Sequence, residues 1–175
     1  RYTASPGTSL WAFTIVYGDN QSSFYAMQGL SSDEINVPGL GKIIENSIIE
    51  GRWFLPTDEW VCVMTKDKAD NLGITSVPAE ISVLGIGNFT VIGIIDNNIY
   101  DQLVMDLDGE RLTPLDRRIP SQWNIHVSSS ETLFIPYKTS ISIGGTVVGV
   151  AIVFKDPNLT PSQSRDLFYT LRGVY

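Results

Sequence analysis

The chain has 175 residues and carries 19 Asp and Glu against 12 Lys and Arg, a formal net charge of −7 with one His. That balance excludes binding along a nucleic-acid backbone, which depends on Lys and Arg neutralising phosphates, and it sets the chain against an anionic lipid surface. Hydrophobic residues make up 43% and charged residues 18%, enough apolar content for one proper core and no sign of disorder.

Residues 9–17 (SLWAFTIVY) are dense in β-favouring side chains, and Gly18-Asp19-Asn20 is a turn signal. Residues 23–30 then read as the returning strand of a hairpin. Ser31-Ser32-Asp33-Glu34 opens a short helix that Pro38-Gly39 ends. Over residues 42–50, with apolar pairs at Ile43-Ile44 and Ile48-Ile49, helix and strand fit equally well. Residues 59–64 (EWVCVM) form a buried strand, and Thr65 is placed to cap the helix KDKADNL with its hydroxyl. Ala69 and Leu72 face the strand, and Gly73 closes the helix in a left-handed conformation. Strands over 80–84 and 89–95 follow, joined by the hairpin turn Gly85-Ile86-Gly87-Asn88.

Residues 97–122, rich in Asp, Asn and Arg with Pro114 and Pro120, are the least core-like and read as an excursion from the sheet. Residues 124–135, a turn or helix over 136–143 and a strand over 146–154 return to the core. Thr160 caps a closing helix over 161–172, with Pro161 in its first turn, Gly173 after it, and Leu167, Phe168 and Leu171 on one face. The sum is a single α+β domain over 1–175, with a mixed or antiparallel sheet and a few short helices. Strand–helix–strand–strand in the middle and strand–helix at the end suggest two similar halves.

Groups able to do chemistry are scarce. His126, the sole histidine, lies in the alternating run Trp123-Asn124-Ile125-His126-Val127, and no sequence pattern supplies the nucleophile and orienting carboxylate that a general base would need. Cys62 sits between two valines, reads as a small core residue, and cannot form an internal disulfide. Asp106-Leu107-Asp108-Gly109-Glu110 echoes the start of a calcium loop but lacks the further ligands and the closing carboxylate. Gly39-Leu40-Gly41-Lys42 and Gly85-Ile86-Gly87 lack the rest of any phosphate-binding fingerprint. Asp58-Glu59 reads as loop acids, and Arg117-Arg118 is an isolated basic pair. Trp53-Phe54-Leu55-Pro56, with Trp60, is a loop whose aromatics either pack over the core or form an interaction patch. Asn20, Asn88 and Asn158 head Asn-X-Ser/Thr sites at predicted turns. We expect no catalytic, cofactor-binding or metal-ligating residue, and no cofactor.

Several of these segments, in this order, resemble the extracytoplasmic core domain of MacB/FtsX-type ABC transporter permeases. They are Gly51-Arg52, the helix end Lys68-Ala69-Asp70-Asn71-Leu72-Gly73, the strand Phe89-Thr90-Val91-Ile92-Gly93-Ile94-Ile95-Asp96, Leu133-Phe134-Ile135-Pro136-Tyr137, and the strand over 147–154. The resemblance covers roughly half the chain. It implies a porter-like, non-enzymatic domain carried outside the cytoplasmic membrane between transmembrane helices of the same protein, and driven by a cytoplasmic ATPase. It also implies a lobe inserted near residues 97–122, here much reduced, and an exported substrate, lipoprotein or extracytoplasmic partner. No apolar run in the chain approaches the roughly 18 residues of a membrane span, so such helices would lie outside it. The missing initiator Met and abrupt ends fit a piece of a longer membrane protein. A free-standing exported ligand-binding or sensor module is the alternative, and a pocket lined by Trp53, Phe54 and Trp60 would favour it. A hydrolase assembled from acids such as Asp58, Glu59, Asp106 and Asp108 is the third reading.

Overall fold

The computed structural model describes residues 2–4, 12–105, 109–116 and 125–147. Their strands are β1 (Tyr2–Ala4), β2 (Phe13–Tyr17), β3 (Asn20–Phe24), β4 (Ala26–Leu30), β5 (Ile48–Gly51), β6 (Val61–Thr65), β7 (Ala79–Val83), β8 (Gly87–Ile95), β9 (Thr132–Pro136) and β10 (Thr146–Val147). Their helices are α1 (Leu40–Ser47), α2 (Lys66–Leu72), α3 (Asn97–Leu103) and α4 (Tyr137–Ser142), and single 3-10 turns lie at Ser32–Asn36 and Ser129–Glu131. One mixed sheet runs β10-β1-β4-β9-β6-β8-β7-β2-β3, and β5 pairs β8 beside this path.

The two central strands, β6 and β9, are antiparallel neighbours, and each runs directly into a helix, α2 and α4. Each also has a parallel partner on its outer side, β8 for β6 and β4 for β9. An antiparallel strand flanks each of those, β7 and β1. The sheet is thus laid out as two similar halves about its middle.

Side chains that alternate along a strand feed cores on opposite faces. Cys62 and Met64 join a core with Leu133, Ile135, and Ala69 and Leu72 of α2. Val63 and Phe134 enter the other, with Ile44 of α1, Tyr100 of α3, Trp53 and Phe54. Central strands buried on both faces explain why EWVCVM and LFIP read as near-continuous apolar runs.

Elsewhere the structure refines or corrects the sequence reading. The first hairpin is β2–β3, spanning 13–24. The expected return strand over 23–30 is broken at Tyr25, and its second part, β4, pairs with β1 and β9 instead. Residues 42–50 hold both options: Ile43 and Ile44 lie in α1, Ile48 and Ile49 in β5. Gly73 closes α2 at φ 75° as expected, but Thr65 at its start makes no side-chain cap, and its buried hydroxyl has no partner. Thr65 is still the last paired residue of β6, opposite Ile95. The segment after β8 begins with α3, capped by Asp96, whose Oδ1 accepts from the N–H groups of Asn98 (2.8 Å) and Ile99 (3.1 Å). Three of its residues, Tyr100, Val104 and Leu112, are buried in the second core. The expected continuation of β10 to residue 154, the helix over 161–172, Trp11, Trp123, Arg117, Arg118 and Asn158 lie outside the described residues.

Candidate functional site

Two of the segments that carry the family resemblance, Gly51-Arg52 and the strand over 89–96, meet at one junction. β5 ends at Gly51, whose φ is 76°, in the region that glycine adopts without penalty. A Cβ there would lie 2.1 Å from the Ile92 carbonyl oxygen. Across the ladder Gly51 faces Gly93, where a Cβ would lie 2.4 Å from the Arg52 carbonyl oxygen. Two glycines therefore let two backbones touch, and the Arg52 N–H donates to the Ile92 carbonyl at 3.0 Å.

From this contact Arg52 reaches over the following loop. Its guanidinium donates twice to Asp58, at 2.6 and 3.1 Å, and once to the Trp53 carbonyl at 3.0 Å. Asp58 Oδ2 also accepts from the Leu55 N–H at 2.7 Å. The clamp closes residues 52–58 into a loop that drives Trp53 and Phe54, 4% and 2% exposed, into the second core. Hydrogen bonding to Arg52 holds the Asp58 carboxyl below the usual range, against a smaller opposing effect of burial.

A carboxylate whose folded pKa is depressed contributes stability above its unfolded value, near 4, and that contribution fades as pH falls through the folded value. Asp58→Asn is therefore expected to cost about 1–2 kcal/mol at neutral pH, the size of a partly exposed charged hydrogen bond. The gap between wild type and variant should narrow as pH falls below about 4. Urea unfolding at pH 7 and pH 3 checks this, and a gap that widens on acidification contradicts it.

The loop delivers Trp60, which stands apart from the other two aromatics. It has φ 49°, and among the described residues no other non-glycine is in the left-handed region. Its N–H donates to Thr139 Oγ1 of α4 at 3.2 Å, and its carbonyl accepts from the Thr90 N–H at 3.0 Å. Its ring centroid lies 5.3 Å from that of Phe89, and a Cβ on Gly87 would lie 3.1 Å from the indole. Even so, Trp60 is 41% exposed. The three aromatics thus divide: Trp53 and Phe54 pack into the second core, and Trp60 is displayed.

The structure places the other candidates as follows. Cys62 is fully buried, and burial pushes its thiol pKa far up, so it stays a neutral apolar side chain. His126 pairs through Nδ1 with the Thr113 carbonyl and lies 3.3 Å from Glu110 through Nε2, tying residues 110–113 to 126. Lys68, in the resemblance's helix, is buried under β3 and donates to the Ser23 carbonyl and to Ser22 Oγ at 3.3 Å. Burial pushes its pKa down, opposed by the charge of Glu131. Asn20 Nδ2 donates to the Leu72 carbonyl at 2.9 Å, pinning the first hairpin to α2, while Asn88 is exposed at the start of β8. Gly39 and Gly85 sit at positive φ in turns. Asp106 and Asp108 lie outside the described residues. Among the described residues no group of three or more His, Cys, Asp or Glu could hold a metal ion. The sequence reading missed Asp58 and Thr139 as partners of Arg52 and Trp60, because contacts six and 79 residues apart leave no local signal.

An α+β domain of this layout has a counterpart of similar fold among solved structures. In particular, the periplasmic region of MacB from Actinobacillus actinomycetemcomitans superposes with a TM-score of 0.53 at 16% identity, over 93% of this chain and 64% of that one. The extracellular domain of the noncanonic ABC-type transporter YknZ from Gram-positive bacteria gives 0.45 at 15% identity, over 81% and 57%. The likeness is one of fold, and the chain spans less than two-thirds of the MacB region's length. No family model and no curated protein matches the sequence. Among the described residues no helix is long and apolar enough to cross a membrane.

Proposed function

We propose that the chain is a non-enzymatic, extracytoplasmic domain of an ABC transporter permease. In this reading it is anchored by transmembrane helices of the same full-length protein. A cytoplasmic ATPase moves those helices, and the domain passes the motion to an exported substrate, a lipoprotein or an extracytoplasmic partner. The motion is that of a packed body, without bond chemistry of its own. The observation that supports this best is the Gly51–Gly93 contact with its Arg52–Asp58 clamp, in which two of the resemblance's motifs become one junction on a MacB-like fold.

The coding sequence on both sides of this segment tests the reading. A transmembrane helix before residue 1, three after residue 175 and a neighbouring ATPase gene are expected. A signal peptide with a stop codon soon after residue 175 would sink it.

A further inference from the structure

At one end of the sheet four large apolar side chains face solvent: Leu55, Trp60, Leu84 and Ile141, at 50, 41, 55 and 47% exposure. They sit on three segments that touch. The loop carrying Leu55 is held to α4 by Lys138, whose Nζ donates to the Pro56 carbonyl at 3.3 Å. Trp60 is bonded to Thr139 of the same helix. The indole rests on Gly87, in the hairpin whose tip carries Leu84. We propose that this end of the domain docks on the interfacial layer of a phospholipid bilayer.

Trp60 is the strongest element. A left-handed backbone is costly for a bulky residue and persists only where its surroundings over-determine it, commonly at functional positions. Here backbone bonds on both sides enforce it, and the result is an indole displayed over the core. An amphipathic ring of this kind suits the boundary between headgroups and acyl chains.

Register supplies the orientation, and this part rests on the permease reading. β9 and β4 end together, Pro136 beside Leu30, and Tyr2 of β1 lies opposite Gly29. The start of β1 is therefore at the end where β6 begins, where α4 starts and where the β7–β8 hairpin turns. In the permease reading the segment before β1 leads to the membrane, so this end faces it. Charge agrees with an uncharged surface. The exposed Lys138 and Glu59 flank the patch with opposite signs, and the chain's net −7 disfavours an anionic lipid surface. Contact is apolar, with a zwitterionic layer.

The test uses the full-length protein in phosphatidylcholine nanodiscs, with a nitroxide on Leu84→Cys or, on the exposed side of α2, which leaves the other end of β6, on Asp70→Cys. The Leu84 label is expected to gain oxygen accessibility and lose accessibility to a water-soluble nickel complex, while the Asp70 label stays aqueous. Trp60→Gly keeps the left-handed backbone and removes the indole, and should cut the lipid-embedded fraction at Leu84 roughly tenfold, the effect of losing one buried aromatic. An aqueous Leu84 label in protein that is properly inserted overturns docking and leaves the permease reading standing. A label shielded from both reagents also overturns it, because a protein partner or a second copy then covers the patch. Failure of the protein to insert at all would remove both readings.

Discussion

Gly51→Ala is expected to lower the unfolding free energy by roughly 2–5 kcal/mol. Two penalties combine. A side chain at φ 76° costs about 1–2 kcal/mol. The new methyl would also start 2.1 Å from the Ile92 carbonyl oxygen and 2.8 Å from Val77 Cγ2, and overpacking of this kind costs about 1–3 kcal/mol. The first obstacle is backbone in the middle of β8, which cannot swing aside as a side chain would. Gly85→Ala isolates the first penalty, since Gly85 has φ 79° with nothing within 4 Å of its virtual Cβ. Urea unfolding of both variants should show Gly51→Ala the more damaging by at least about 1 kcal/mol. Equal midpoints would mean that the β5–β8 contact is looser than described.

Phe134→Ala should be as severe, at roughly 3–5 kcal/mol. Phe134 has 0% exposure in the central strand β9, pairs with Val63 across the ladder, and its ring lies 4.8 Å from Tyr100. Backbone pairing on β9 fixes the strand, so the site cannot collapse to fill the void. Against a typical total of about 5–15 kcal/mol, this variant is expected to populate unfolded chain at 37 °C. The damage should also be directional. Tyr100, which donates to the Leu112 carbonyl at 3.2 Å, loses its packing partner, so α3 amides should exchange faster than those of α2 on the opposite face. Uniform acceleration of exchange in both helices would show that the two cores are one cooperative unit.

What the sequence revealed depended on how local the cause was. Residues 59–96 could be read nearly element by element, because strand, helix, Gly73 and hairpin are all specified by near neighbours. The break at Tyr25 could not. Residues 23–30 look like one strand, and only pairing of Ala26 with Thr132 pulls the second half away from β2. The ambiguity over 42–50 was real, since the change from helix to strand at Ile48 is set by pairing with Ile95. The resemblance pointed to Gly51-Arg52, but the reason for both residues became visible only when Ile92, Gly93 and Asp58 were placed around them. In sequence Trp60 reads as one of a loop trio. No local pattern announces a tryptophan at positive φ, because such a conformation is imposed by bonds to Thr139 and Thr90.

The pairing of β4 with β9 has a consequence for how this chain is made. Ala26 must wait for Thr132, 106 positions later (132 − 26), before its strand gains a second neighbour. Contacts of such long separation slow folding, and a chain emerging from the ribosome in order cannot complete the sheet's centre until β9 is synthesised. Until then the all-buried side chains of β4 are open along one edge, the kind of surface that invites aggregation. The hairpins on the β6 side can form early, so the nascent chain should carry half a finished sheet beside a sticky one, and depend on a holding chaperone through that interval.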